Sequence, residues 1–243
     1  MLLSIITVCY NSERTIQRCL SSVEISGDWF EHIIVDGLSS DDTIKIVNKH
    51  KEVNNDQKIT VISETDDGIF DAYNKGVHLA KGEYILFLNS DDALLCGALN
   101  NTKNYLQNAK TTNLSFGNII YKDSDNQKLT SEFNWWKFVF KGMTLQHPSG
   151  LFPRNILLKY KFDKRFRVIG DYDQILRYVR DGGVIDIHGL TTHYMYPGGV
   201  SDGAYIKRLK ECFWSHKSNL GIHVAFLSLL TRTLIFLAYR IFR

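Results

Sequence analysis

Apolar residues come in short blocks separated by polar loops, and the period inside the blocks alternates between strand-like and helix-like. Leu2 to Val8 is an apolar run rich in Ile and Val. It gives way to Cys9-Tyr10-Asn11-Ser12 and then to Ile16, Leu20 and Val23, which share one face of a helix. Asn11 or Ser12 is placed to cap that helix, with Glu13 in its first turn at the positive end of the dipole. The grammar repeats. His32 to Val35 reads as a strand, Asp36 to Asp42 as a polar loop and Thr43 to His50 as a helix. Lys58 to Ser63 is a third strand, Phe70 to Ala80 a helix and Tyr84 to Leu88 a fourth strand. Strands alternating with helices imply right-handed crossovers and a largely parallel sheet, whose ligands sit beyond the carboxyl ends of the strands. The loops Cys9 to Ser12, Asp36 to Asp42, Glu64 to Gly68 and Asn89 to Asp92 are therefore expected along one edge. They are the acidic and polar ones.

From Asn113 to Gly150 the pattern is less regular, with Trp135, Trp136, Phe138 and Phe140 clustered ahead of Gln146-His147-Pro148-Ser149. This reads as the second half of the same domain, shaped for a partner molecule. The expected organisation is one domain over 1–202, divided at about residue 110, and a basic, amphipathic helical tail over 203–243. In the tail Lys207, Arg208, Lys210 and Lys217 interleave with Tyr205, Leu209, Phe213 and Trp214, and Val224 to Tyr239 is almost continuously apolar. That stretch is short for a membrane span and is interrupted by Arg232. At about 100° per residue Ser228, Arg232, Arg240 and Arg243 fall on one side of a helix, which suits lying in a membrane interface. Packing on the catalytic domain or on a second copy of the chain, as a homo-oligomer, is the alternative.

Composition narrows the function. A chain of 243 residues can bury a sizeable core, and a formal charge of +3 gives no bulk electrostatic case for a nucleic-acid partner. Cys9, Cys19, Cys96 and Cys212 lie far apart, without the close pairs of zinc or redox motifs, and read as buried small hydrophobes in a reducing compartment. Met1 runs directly into a strand with no sign of a secretory signal. A cytoplasmic location is expected, at the inner face of the cell membrane if the tail docks there.

The strongest chemical signal is the strand Tyr84 to Leu88 ending in Asn89-Ser90-Asp91-Asp92. A diphosphate leaving group needs a hard cation, and a hard cation needs oxygen ligands. Capping of a helix starting near Ala93 is the simpler alternative, but it accounts for one acid and not the cluster. Asp36 closes the second strand beside Gly37, where the backbone can turn tightly and a carboxylate can meet a base N–H or a ribose hydroxyl; an Asx-turn is the local alternative. Asp41 and Asp42 read as caps of the helix from Thr43.

In this order the motifs resemble those of glycosyltransferase family 2. They are Ser4 to Asn11, then Val35-Asp36-Gly37 with Ser39, Asp41 and Thr43, then Asp67 to Gly76, then Ala80-Lys81-Gly82-Glu83-Tyr84 leading to Asn89-Ser90-Asp91-Asp92. The resemblance runs from Met1 to about Ser201. It implies an α/β GT-A fold, Rossmann-like, with a mostly parallel sheet flanked by helices. It also implies a metal-dependent, inverting transfer from a nucleoside diphosphate sugar, by default a uridine one, to a saccharide or lipid-linked saccharide in surface polysaccharide assembly. The donor-binding set so implied is Thr7, Tyr10, Asn11, Glu13, Asp36, Asp67, Lys75, Asn89, Ser90 and Asp91. Asp91 matches the family's metal-binding acid, for Mn2+ or Mg2+, and Asn89 stands where that motif usually begins with Asp. Tyr73 stands where many members have Arg, which leaves diphosphate neutralisation to Lys75 or later basic residues. Downstream, Gln146 to Phe152 and Phe162 to Asp173 resemble the acceptor half, with Asp171 at the place of the catalytic base, Gly170 where Glu usually precedes it, Asp173 as its nearest rival and His147 as an acceptor contact. His193 to Ser201 resembles the loop that closes over the diphosphate, where paired glycines expose backbone N–H groups; His193 could also pack or complete a metal shell. Two other classes compete. A nucleotidyltransferase would carry a Gly-rich basic phosphate loop near the N-terminus, which this sequence lacks, and a non-catalytic glycan-binding scaffold would fit Asn89 but not the retention of Asp91 and Asp171.

Overall fold

The computed structural model describes residues 1–23, 27–53, 58–109, 112–123, 125–199 and 203–241. Its main sheet runs β3-β2-β1-β4-β8, from β1 (Leu3–Cys9), β2 (Phe30–Asp36), β3 (Ile59–Ser63), β4 (Tyr84–Phe87) and β8 (Phe152–Pro153). The first four strands are parallel, and β8 pairs antiparallel at the edge. β1 and β2 are buried along their whole length, as expected of central strands covered by helices on both faces. The crossovers are α1 (Ile16–Ser22), α2 (Thr43–Val53) and α3 (Ile69–Leu79). The four expected strands and three expected helices are present, and the parallel order brings the carboxyl ends of β1 to β4 to one edge.

Two local expectations change. Helix α1 begins at Thr15, whose side chain makes no cap, because residues 10 to 14 stay in the loop, with Asn11 at φ +49°. No helix follows Asp92: the chain enters the short strand β5 (Ala93–Leu94), and α4 starts at Ala98 and ends at Ala109. β5 belongs to a second sheet of order β5-β9-β6-β7, built with β6 (Leu114–Tyr121), β7 (Gln127–Leu129) and β9 (Ile185–Met195). Pairing of Ala93 with Tyr194 and of Leu94 with His193 carries the end of β9 to the acids that follow β4. Cys9, Cys19 and Cys212 are buried and free, whereas Cys96 is exposed, contrary to the reading of all four as core residues.

The second half supplies α5 (Trp135–Lys141), α6 (Arg154–Lys159) and α7 (Gly170–Arg180), and the C-terminal segment forms the helical hairpin α8 (Tyr205–Leu220) and α9 (Ile222–Ile241). The polar side of α9 faces the protein, the packing on the domain that was the alternative to a polar side turned to solvent. Ser228 and Arg232 are buried: Ser228 Oγ donates to the Val139 carbonyl at 3.0 Å, and Arg232 donates to the carbonyls of Val139 at 2.9 Å and Phe138 at 3.3 Å. These are C-terminal carbonyls of α5, which have no partner inside their own helix, and a guanidinium suits the negative end of the dipole. Arg232 also donates to Tyr172 Oη at 3.1 Å. Arg243 and the side chain of Arg240 lie outside the described residues.

Arg232 thus satisfies the end of α5 and joins it to α7. Arg232→Ala should lower unfolding stability by about 2 to 4 kcal/mol, since buried carbonyls and a phenol lose charged donors. Urea denaturation followed by circular dichroism measures this, and a loss under about 0.5 kcal/mol would mean that the hairpin adds nothing to the fold.

Candidate active site

The first two loops at the sheet edge are laced together by backbone and side-chain bonds. Asn11 N donates to Ser39 Oγ at 2.8 Å, Asn11 Oδ1 accepts from Ser40 N at 2.9 Å, and Glu13 Oε2 accepts from Asp42 N at 3.1 Å. Asp41 accepts from Thr43 N at 3.0 Å and from Glu13 N at 3.1 Å, the turn-closing role expected of it. Asp36 is wholly buried. Its carboxylate accepts from Ser39 N at 3.0 Å, Ser39 Oγ and Ser63 Oγ at 2.6 Å, with the Cys9 thiol at 3.7 Å. It fixes the turn at Gly37, where a side chain would meet the Asp66 carboxylate and the exposed ring of Tyr10. Thr7 is not brought to the edge: its hydroxyl lies inside β1, 2.9 Å from Nε2 of buried His32.

Cations hold the third loop. Lys75 bonds the Thr65 carbonyl at 2.5 Å and Glu64 at 2.9 Å; Lys164 pairs with Asp67 at 2.7 Å and Asp71 at 3.7 Å; Arg167 donates to the Asp67 carbonyl. The Lys164 ammonium beside Asp67 holds that carboxyl below its usual range. Lys164 and Arg167 come from the acceptor half, almost a hundred residues away, and only their place in a basic run marks them in the sequence.

At the end of β4 the two acids diverge. Asp92 turns inward, where it accepts from Tyr196 N at 3.1 Å and Asn89 Nδ2 at 3.2 Å. Burial, and then the neighbouring Asp91 charge, push its carboxyl up to about 7. Asp91 is half-buried, and a Cβ built on Gly199 would stand 3.7 Å from its Oδ2, so the Tyr196 to Gly199 loop borders its carboxylate. Val200 and Ser201, the end of the expected closing loop, lie outside the described residues. Ser90 Oγ meets Ser12 Oγ at 2.9 Å, and Asn89 Oδ1 accepts from Tyr73 Oη at 2.5 Å. Arg18 was missed by sequence reasoning because nothing in the α1 pattern sets it apart. Its guanidinium donates to the Asp91 carbonyl at 2.5 Å and lies 3.6 Å from the centroid of the Tyr196 ring, joining the acids to the glycine loop.

Among the described residues no group of three or more His, Cys, Asp and Glu side chains converges to cage a metal. The donor chemistry nevertheless fits a Mg2+- or Mn2+-type ion that arrives with a diphosphate, because such ions take one or two carboxylates and complete their shells with phosphate oxygens and water. Two adjacent carboxylates, Asp91 and Asp92, at the end of β4 are the feature that favours a cation there. Asn89, occupied by Tyr73 and Asp92, contributes no charge to it. His193 is wholly buried, with Nδ1 2.8 Å from Thr192 Oγ1, and burial drives it down to about 3, so it packs behind the acids.

The second half of the chain brings Asp171 and His147 toward the Tyr73 ring. Asp171 is the second residue of α7 and half-buried. Gly170 precedes it because a Cβ there would lie 2.6 Å from the Phe70 ring, which excludes the Glu usual in similar sequences. The Tyr73 phenol is raised by burial and further by the carboxylates of Asp171, Asp92 and Asp91. His147 stacks on Phe87 with centroids 5.4 Å apart and lies 6.2 Å from Tyr73; burial lowers it, the Asp171 charge opposes that, and its Nε2 has no hydrogen-bond partner among the described residues. Asp173 is different. It is buried and bonded to Arg177 at 2.7 Å, Ser215 at 2.6 Å and Asn219 at 3.2 Å, which makes it the anchor of α8 on α7.

Comparison with known proteins bears on the family and the fold. The family model described as glycosyl transferase family 2 matches residues 4–168. A PGL/p-HBAD biosynthesis glycosyltransferase of Mycobacterium bovis is 29% identical over 216 residues, covering 85% of this chain and 83% of that protein. Staphylococcus aureus TarS 1-349 in complex with UDP-GlcNAc superposes with a TM-score of 0.71 at 18% identity, covering 97% of this chain and 73% of that one. The chain spans 43% of the length of a longer TarS structure that it also matches. The mannosyltransferase PcManGT of Pyrobaculum calidifontis, in complex with GDP-Man and Mn2+, gives a TM-score of 0.66 at 16% identity over 97% of this chain and 74% of that one. At these identities the solved structures establish the α/β GT-A architecture.

The buried Asp92 makes stability pH-dependent. Its carboxyl is raised from 3.8 to about 7, so between those values the folded chain keeps a proton that the unfolded chain has released, and stability falls as pH rises through that window. Asp92→Asn should abolish this fall, worth at most about 4 kcal/mol. His32, His193 and His216, each lowered to about 3 by burial, act in the opposite sense but are common to both proteins and cancel in the difference. Melting temperatures from pH 4 to 8 test it; parallel curves for the two proteins would contradict it.

Proposed function

The chain belongs to glycosyl transferase family 2, and from that premise we propose a metal-assisted, inverting transfer of a sugar from a nucleoside diphosphate sugar to an acceptor hydroxyl. The observation that carries the reading is the place of Tyr73, bonded to Asn89 at the end of β4, packed against His147 and Phe162 of the second half, and acted on by the charges of both Asp91 and Asp171. In a single displacement the acceptor oxygen forms a bond to the anomeric carbon as the bond to the diphosphate breaks, and the acceptor proton passes to a base on the face opposite the leaving group. Asp171 is that base. A sugar hydroxyl is a poor nucleophile at neutral pH, and a positioned carboxylate contributes on the order of a hundred- to ten-thousand-fold. His147, with Nε2 unpartnered beside it, is the acceptor contact.

Tyr10, Asn11 and Asp67 border the nucleoside and Asp36 shapes its turn, while Glu13, Ser90 and Asn89 hold the surrounding loops and Thr7 supports β1 from within. Lys75, Lys164 and Arg167 hold the loop that carries Asp67, and Lys75 is the cation offered to the diphosphate. Mn2+ or Mg2+ held by Asp91 would act as a Lewis acid, neutralising charge on the departing diphosphate. A uridine donor and a saccharide or lipid-linked saccharide acceptor, in surface polysaccharide assembly at the cytoplasmic face of the membrane, complete the reading. It is supported by the family membership and the likeness to a glycosyltransferase of PGL/p-HBAD biosynthesis.

Asp171→Asn should reduce transfer by about a hundred- to ten-thousand-fold and leave the melting-temperature rise on adding donor nucleotide unchanged. Asp173→Asn should instead lower the melting temperature. Near-normal transfer by Asp171→Asn, with loss confined to a folded Asp173→Asn protein, moves the base to Asp173.

Asp91→Asn should weaken Mn2+-dependent donor binding at least about tenfold with little change in the melting temperature of the free protein, since the diphosphate would lose its bridge to the sheet edge. Thermal shift with UDP sugars, with and without Mn2+, reads the binding. Donor turnover that survives both this substitution and excess chelator contradicts the metal role.

A further inference from the structure

The inward turn of Ser228 and Arg232 leaves the apolar side of α9 facing out. Phe226, Leu230, Leu234 and Leu237 follow one another at helical spacing, and each is about half exposed. From Phe226 to Leu237 the stripe is about 17 Å long. A contiguous exposed apolar surface of that kind on a folded protein marks an interaction site.

The neighbouring helix continues the surface and gives it a charge. On α8, Ile206, Lys210, Trp214 and Lys217 share a face; Ile206 and Trp214 are exposed, and Lys217 lies 4.9 Å from the centroid of the Trp214 ring. Edge-to-face contacts from Trp214 to Phe213 (5.9 Å) and from Phe213 to Phe226 (5.2 Å) join the two stripes. Between Gly203 and Arg243 the sequence contains one acid, Glu211. Its carboxylate is turned away from this surface and accepts from the backbone N–H groups of Arg167, Val168 and Ile169. The outward charges of α8, Lys207, Lys210 and Lys217 among them, are therefore cationic.

We propose that the outer face of the α8–α9 hairpin docks on an anionic lipid bilayer, with the α9 stripe in the acyl boundary and the α8 lysines against the headgroups. Charge decides between this occupant and a second copy. A two-fold contact through the same surface would set the lysines of one α8 near those of the other, whereas an anionic leaflet complements them. No helix among the described residues is long and apolar enough to cross a membrane, so the contact is interfacial. This deepens the membrane-face location proposed above and rests on it, but not on the transfer chemistry.

The test is co-sedimentation of the full chain with phosphatidylglycerol-containing vesicles and with pure phosphatidylcholine vesicles, alongside thermal shift with a UDP sugar and sedimentation velocity. The wild-type protein should bind the anionic vesicles at least about tenfold more tightly than the neutral ones and lose binding as salt rises. Leu230→Glu with Leu234→Glu should reduce binding by at least about tenfold, and Lys210→Gln with Lys217→Gln should remove the preference for anionic lipid, all with an unchanged donor shift. Equal vesicle binding by wild type and the glutamate variant overturns the proposal, as does a wild-type dimer that the glutamates dissociate without any vesicle binding. Loss of the donor response with vesicle binding intact counts against the transferase reading alone.

Discussion

Carboxylates accumulate at one edge of the main sheet, and their mutual repulsion beside a buried core is the constraint around which the site is organised. Parallel order puts the ends of β1 to β4 side by side, so Asp36, Asp66, Asp67, Asp91 and Asp92 are gathered by topology alone. Each is managed by a different means. Asp36 is surrounded by hydroxyl and backbone donors, Asp67 is paired with Lys164, and Asp92 is buried against Tyr196 N with its carboxyl raised. Asp91 is half-buried, and Arg18 binds its backbone carbonyl. Negative charge gathered in this way is of the kind that a diphosphate and its cation compensate together.

The second constraint is the supply of partners for helix ends. α5 is only seven residues long, so its last carbonyls are a large share of its polar groups, and they are buried under α9. Burying them without donors would cost more than burying Arg232 with them. This reverses the usual amphipathic logic. The polar side of α9 is the side that packs, and the apolar side is left for something else.

Much of this was legible in the sequence where a local period carries the information. The first four strands, the three crossovers and the converging acidic loops follow from alternating blocks of apolar residues, and the order of motifs carried the family. What was not legible depends on partners far away in the chain. β5 and β9 pair across about a hundred residues, and a two-residue strand has no period to read, so the helix considered near Ala93 as an alternative does not form there. The Ser228 and Arg232 side of α9 could be counted on a helical wheel, but its direction depends on α5 carbonyls that no pattern within α9 reveals. Cys96 was taken for a core residue on residue type alone, and it is exposed. Arg18 and Tyr73 act through single contacts with Asp91 and Asn89, which periodicity does not encode.

Asp171 and Asp173 show how one helical turn can hold two carboxylates with opposite fates. A residue two places further along α7 points to a different side, and that side is α8: Asp173 meets Ser215 and Asn219, while the charge of Asp171 acts on His147 and Tyr73. The neighbours of Asp171 are held by the same hairpin. Glu211 accepts from the three backbone N–H groups at 167 to 169, and the Tyr172 hydroxyl lies 2.7 Å from His216 Nε2 and 3.1 Å from Arg232. Glu211, Ser215 and His216 of α8 and Arg232 of α9 thus hold residues 167 to 173 on both sides of Asp171. A rigid body of this kind carries an orientation from its outer surface to its inner one. In the reading proposed above, the docked face of the hairpin would orient Asp171 with it, as an acceptor anchored in a lipid surface would require.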